Sequence, residues 1–128
     1  MSDQDNHRAN FLGIPAFYNL NLAACVINEA FESYGTYLVG SSLERRDYRD
    51  VDVRVIMADE EYARLFPGLS GNAQVSAFWS LLCVSISEWM AARTGLPIDF
   101  QIQKQSEANE KYKVTRNAIG LFVGRVTR

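Results

Sequence analysis

The chain has 128 residues, of which 48% are hydrophobic and 22% are charged, and its formal net charge is −2. This length allows one domain with its own core, and the composition is that of a globular protein rather than a disordered one. The charge excludes a global basic field that would attract nucleic acid, and no run of 18 apolar residues is present to predict a membrane span.

The first ten residues are polar and predict a disordered tail, with a single domain over residues 11–128. They also lack the apolar stretch of a secretory signal. Cys25 and Cys83 stand far apart without a C-x-x-C pair, and the one histidine, His7, lies in the tail, so a zinc site is not expected. Two buried thiols in a reducing cytoplasm are the interpretation we adopt, which makes the expected location cytoplasmic.

The first half of the chain predicts one helix followed by two strands. Between residues 15 and 34, apolar residues recur every three or four positions, which indicates an amphipathic helix that Gly35 would end. Residues 36–39 form a short β-prone run that stops at Gly40. Residues 50–57 alternate between apolar and polar side chains, which predicts a strand with one apolar and one mostly charged face.

The second half predicts two helices and one or two further strands. Residues 59–66 suggest a short helix, and residues 67–71 a loop. A long second amphipathic helix, closed by Gly95, is marked by Val75, Phe78, Trp79, Leu82, Cys83, Ile86 and Met90, whose aromatic members we assign to the core. Residues 97–103 alternate again, and residues 117–126 could hold one more strand. The order predicts an α+β domain in which helices cover one face of a small mixed sheet.

A glycine-serine bend follows the first predicted strand. Gly40 allows a sharp turn, and the amides and hydroxyls of Ser41 and Ser42 can surround phosphate oxygens. Arg45 and Arg49 follow in the next loop, where guanidinium groups would suit phosphate oxygens. A solvated charged loop is an equally good interpretation of any single arginine there.

Two aspartates share one face of the second predicted strand. Asp50 and Asp52 stand two positions apart, which places their α-carbons about 7 Å apart on the same side. Unpaired carboxylates at this distance raise each other's pKa, and a divalent cation such as Mg²⁺ relieves the repulsion. The alternative is a solvent-facing strand whose charges are balanced by Arg49 and Arg54. Asp99 would complete a triad of carboxylates if its strand lies beside residues 50–57.

These residues together carry a family resemblance. The sequence Val39-Gly40-Ser41, eight further residues and Asp50-Val51-Asp52-Val53 resembles the signature of the DNA polymerase beta-like nucleotidyltransferase superfamily, and the likeness covers about residues 15–103. Residues 98–103 also resemble small members of this superfamily found in bacteriophages. The resemblance implies that Gly40 and Ser41 hold a triphosphate. It also implies that Asp50, Asp52 and Asp99 form a centre for two Mg²⁺ ions, with Asp99 helping to activate the attacking hydroxyl.

The activity that the resemblance implies is Mg²⁺-dependent transfer of a nucleoside monophosphate from an NTP, such as ATP, to a hydroxyl acceptor. The acceptor could be a protein, a small molecule or an RNA end. One alternative is a non-catalytic module of the same fold that binds a nucleotide or a protein, and another is a structural protein. A basic cluster of Lys104, Lys111, Lys113 and Arg116 could face pyrophosphate or an RNA acceptor, or simply solvent.

Overall fold

Nine secondary-structure elements make up the part of the chain that the computed structural model describes, residues 10–68, 76–112 and 116–121. They are α1 (Ile14–Ala30), β1 (Gly35–Val39), a 3₁₀ turn (Ser41–Leu43), β2 (Val51–Met57), α2 (Asp59–Leu65), α3 (Ala77–Thr94), β3 (Ile98–Lys104), α4 (Gln105–Lys111) and β4 (Asn117–Ile119). His7, the end of the predicted loop at 69–71, Val75, Lys113 and the predicted strand residues 122–126 lie outside the described residues.

The strands form one mixed sheet in the order β3-β2-β1-β4. β1 is antiparallel to both β2 and β4, whereas β2 and β3 are parallel. The parallel pair is joined through α2 and α3, since parallel strands need a long crossover. The α+β class and the mixed sheet that the sequence predicts are therefore confirmed, and β2 and β3 are neighbours as the Asp99 hypothesis requires.

The main core lies on the face of the sheet that α1 and α3 cover. Val51, Val53 and Val55 of β2 are completely buried there, as their alternation predicts. Leu20 and Ile27 of α1 join this core, as do Trp79, Cys83 and Met90 of α3. α3 begins with a Ser76 side chain that accepts a hydrogen bond from the Trp79 amide, and it ends at Gly95 in the left-handed region.

The opposite face of the sheet is also partly covered, which the expectation of helices on one face did not include. Arg54, Ile56 and Gln103 point to this side and are buried. Arg54 Nε donates to the hydroxyl of Tyr112, the residue that follows α4, at 3.3 Å. The chain after β3 therefore turns back across the polar face, which is less open than its charges suggest.

Some predicted boundaries are wrong. α1 ends at Ala30 rather than Tyr34, because Phe31 adopts an extended conformation while still packing against the core. Tyr34 and Phe78 were assigned to apolar faces, yet they are 55% and 51% exposed. Asn10, predicted to belong to a disordered tail, is buried, and its side-chain amide donates to Asn117 Oδ1 at 2.7 Å.

The two cysteines behave as predicted. Cys25 and Cys83 are both free thiols and both buried. Burial raises the pKa of the Cys83 thiol to about 11, so this group is unreactive at neutral pH. Within the described ranges, no helix combines the length and the apolar character needed to cross a membrane.

Candidate functional site

The bend after β1 and the aspartate of β2 are in direct contact. Val39 lies opposite Asp52 in the antiparallel register, so Gly40 leaves the sheet beside this carboxylate. Gly40 has φ +82° and ψ −156°, a region that is almost exclusive to glycine. A methyl group at Gly40 would overlap Asp52 Oδ2. The two halves of the sequence motif therefore meet in space.

The serines after Gly40 form a single 3₁₀ turn. The Leu43 amide donates to the Gly40 carbonyl at 3.1 Å, and the Arg45 amide donates to the Ser41 carbonyl at 2.9 Å. The first amides of such a turn have no acceptor within it. Ser42 differs from its predicted role, because its hydroxyl is buried and has no hydrogen-bond partner among the described residues. Of the two serines, Ser41 alone is partly exposed.

Asp52 and Asp99 occupy opposing positions in the parallel pair of β2 and β3. The side chain of Asp52 is 26% exposed and that of Asp99 is 46% exposed. Arg54 lies between them, with Nη2 at 3.6 Å from Asp99 Oδ2 and 4.0 Å from Asp52 Oδ1. The sheet therefore joins two of the three predicted carboxylates, and it adds a cation that they share.

The Arg54 side chain is buried and donates three hydrogen bonds. Its side chain is only 7% exposed, and Nη1 donates to the carbonyls of Val53 at 3.0 Å and Asp99 at 2.6 Å. Nε donates to Tyr112 as described above. Arg54 was predicted only to balance the charges of a solvent-facing strand, so its burial and its contact with Tyr112 were not predicted. Its spacing places it on the same strand face as Asp52, but no local pattern indicates the burial or the distant partner.

The surroundings of Asp52, burial above all, disfavour its ionised form. Burial raises the pKa of Asp52 most, Arg54 lowers it, and the negative charges of Asp99 and Asp50 raise it again. The net effect is a raised pKa, so the ionised form of Asp52 is disfavoured while no ligand is bound. Such a group gains from any cation that approaches it.

Asp50 lies just before β2 and is exposed, without an ion pair to any described residue. Across residues 10–68, 76–112 and 116–121, no three acidic, histidine or cysteine side chains converge closely enough to cage a metal. Asp50 and Asp52 are the residues that could hold a hard cation, but only if water and a ligand's phosphate oxygens completed its shell. Mg²⁺ is commonly bound in this way, through one or two carboxylates.

The basic residues predicted to meet phosphates are dispersed. Arg45 Nε lies 3.5 Å from Asp47, and both side chains are largely exposed. Arg49 is exposed, whereas the guanidinium of Arg46 lies 5.5 Å from the centre of the Phe11 ring. In the second basic cluster, Lys111 Nζ lies 3.9 Å from Glu107 Oε2, and Arg116 stacks 5.7 Å from the Tyr37 ring centre. Arg45 and Arg49 are both exposed, and the backbone of Arg45 is tied to the bend through the Ser41 carbonyl.

A groove of about 360 Å³ runs between α3 and the outer edge of β3. Its lining includes Asp99, Phe100, Gln101, Trp79 and Glu88. Asp99 thus belongs both to the carboxylate cluster and to an open groove on the edge of the sheet. The sequence did not reveal this groove, because it depends on how α3 packs.

Compared with protein-family models, with curated proteins and with solved structures, the chain matches none of them. The function must therefore be inferred from the bend, the two neighbouring strands and the buried arginine.

Proposed function

We propose that this protein is a nucleotidyltransferase of the polymerase beta-like type, which binds an NTP at the Gly40–Ser41 bend. The observation that carries the proposal is the contact between Gly40 and the carboxylate of Asp52. It brings a flexible backbone turn, which can approach phosphates closely, against an acidic group that can hold their counter-ion.

Asp50 and Asp52 are the residues that would hold Mg²⁺. The raised pKa of Asp52 supports this role, because a bound cation would favour its ionised form. Bound Mg²⁺ would supply neutralisation of phosphate charge and a lower pKa for the attacking hydroxyl. The exposed guanidinium groups of Arg45 and Arg49 would bind the phosphate oxygens from the other side.

Asp99 would act on the acceptor. The groove that Asp99 helps to line is large enough for a small molecule or for one end of a chain. The acceptor oxygen forms a bond to the α-phosphorus while the bond from that phosphorus to the bridging β-phosphate oxygen breaks. Pyrophosphate leaves, and the hydroxyl proton passes to Asp99 and then to water. Positioning and electrostatics would supply most of the acceleration.

Calorimetric titration with each of the four NTPs and Mg²⁺ tests the binding step. We expect at least one NTP to bind in a Mg²⁺-dependent manner, and the double substitution Asp50→Ala/Asp52→Ala to abolish this binding. Glu60→Ala, which removes an exposed carboxylate on α2, is the matched control and should bind like wild type. Failure of all four NTPs to bind would refute the proposal.

Pyrophosphate release across a panel of hydroxyl acceptors tests the transfer step. Asp99→Asn should keep NTP binding and lose transfer, because it keeps the size of the side chain and removes the proton acceptor. Unchanged turnover in this variant would mean that another group receives the proton.

A non-catalytic nucleotide-binding module is the second candidate, and Arg54 is the observation that favours it. Its guanidinium already offsets part of the negative charge of Asp52 and Asp99 without any metal. NTP binding without pyrophosphate release from any acceptor would support this module over the enzyme.

A further inference from the structure

We propose that Arg54 is the resident counter-charge of the Asp52–Asp99 pair, so that the site takes one divalent cation, at Asp50 and Asp52, rather than two. This inference rests on the proposed function, and it concerns how many cations the chain's own residues can hold.

The guanidinium of Arg54 lies close to both carboxylates. Nη2 of Arg54 lies 3.6 Å from Asp99 Oδ2 and 4.0 Å from Asp52 Oδ1, on the face that both carboxylates share. A second cation bridging Asp52 and Asp99 would approach this same charge. Like charges at such distances repel strongly at a partly buried site, so Arg54 and a bridging ion exclude each other.

Hydrogen bonds hold the side chain of Arg54 in place. A surface arginine could swing away to admit a cation, but this side chain is buried and donates to two backbone carbonyls and to Tyr112. Moving it would leave a buried charge without partners, which is costly. The guanidinium is therefore a fixed part of the site.

The three aspartates differ in their surroundings. Asp99 and Asp52 both pair with the guanidinium of Arg54. Asp50, in contrast, is exposed and has no ion pair with a described residue. When ionised, the three aspartates together with Arg54 carry a net charge of −2, which one divalent cation on the Asp50 side would neutralise. Asp99 then stays free to accept a hydrogen bond from an acceptor.

Mn²⁺ titration of the NTP-free protein tests this count, with calorimetry and the electron paramagnetic resonance signal of free Mn²⁺ as readouts. We expect a stoichiometry of one for wild type. Arg54→Gln should raise it to two, because the Asp52–Asp99 pair then lacks its counter-charge. Arg54→Lys, which restores a positive charge, should return it to one, and Tyr112→Phe should also stay at one, because it removes a hydroxyl and leaves the charge.

Two Mn²⁺ ions on wild type would overturn the inference and leave the proposed function intact. No Mn²⁺ in the absence of NTP would also overturn the inference, while the NTP titrations would still decide the proposed function. If Arg54→Gln does not fold, Asp99→Asn gives a second measure. We expect this variant to keep one ion with weaker affinity, because Arg54 then acts on Asp52 alone. If Asp99 instead ligated a second ion, the stoichiometry would fall from two in wild type to one in Asp99→Asn.

Discussion

Gly40 meets two constraints at once. Its φ of +82° with ψ of −156° lies in a region that side chains rarely enter, and its α-carbon faces Asp52 so closely that a β-carbon would overlap the carboxylate. Backbone conformation and side-chain contact therefore select glycine independently. A residue of this kind links the shape of the bend to the position of the acidic group.

Substituting Gly40 with alanine should lower the free energy of unfolding by about 3 kcal/mol, the upper end for a strained residue. Gly95→Ala is the control, since Gly95 also has a positive φ of +73° but a β-carbon there would meet nothing within 4 Å. We expect that control to cost only about 1–2 kcal/mol. Urea unfolding measures both variants.

A double-mutant cycle separates the two constraints at Gly40. Adding Asp52→Ala to Gly40→Ala removes the overlap and keeps the backbone strain, so part of the lost stability should return. Strictly additive effects of the two substitutions would show that the carboxylate does not contact the bend.

At the scale of elements, two side chains of α3 form hydrogen bonds with backbone groups at the outer edge of β3. Ser87 Oγ accepts a hydrogen bond from the Phe100 amide at 2.8 Å, and Trp79 Nε1 donates to the Ile102 carbonyl at 2.9 Å. An edge strand with free backbone groups invites pairing with another chain. These two residues remove part of that risk, and they hold β3 where Asp99 meets Asp52.

Ser87→Ala should lower the free energy of unfolding by about 1–3 kcal/mol, because the buried Phe100 amide loses its acceptor. Ser85→Ala is the matched control on the same helix, where an exposed serine should change stability by less than about 0.5 kcal/mol. Equal effects of the two substitutions in urea unfolding would show that the Ser87 contact contributes nothing.

Local patterns predicted some of these elements and missed others for physical reasons. β2 was predicted because alternation with a period of two places its valines on one buried face. α4 was not, because Ala108 is its only buried residue and leaves no apolar periodicity. The pairing of Asp52 with Asp99 was a hypothesis that no local pattern could establish, since the register of a parallel pair depends on packing between distant segments.

The candidate site divides in the same way. The family resemblance assigned Gly40 and Asp52 to one site, whereas their direct contact follows from the register of β1 and β2. The buried Arg54 network could not be inferred, because its partners include Tyr112, 58 positions away. Ser42 was assigned to the ligand because it follows the Gly40 bend. Its burial depends on the chain that leads into α1, where the Phe11 amide donates to the Ser42 carbonyl.

At the scale of the whole molecule, the acidic cluster makes stability depend on pH. The pKa of Asp52 is raised above the ordinary value of 3.8, chiefly by burial. The folded state therefore holds this proton more tightly than the unfolded chain does. As the pH rises through the raised pKa, the free energy of unfolding falls, and the cost is complete above that pKa and absent below about 3.8.

Asp52→Asn should therefore raise the free energy of unfolding at pH 7 in EDTA, and this gain should shrink towards zero as the pH falls to about 3. Glu60→Gln, at an exposed position, should change stability little at either pH. Replacing EDTA with excess Mg²⁺ should stabilise wild type and not Asp52→Asn, because an ionised carboxylate binds the cation in the folded state and a neutral amide does not. A variant less stable than wild type at pH 7 in EDTA would mean that Arg54 outweighs burial, and that the cluster is a satisfied ion network rather than a site that gains from a metal.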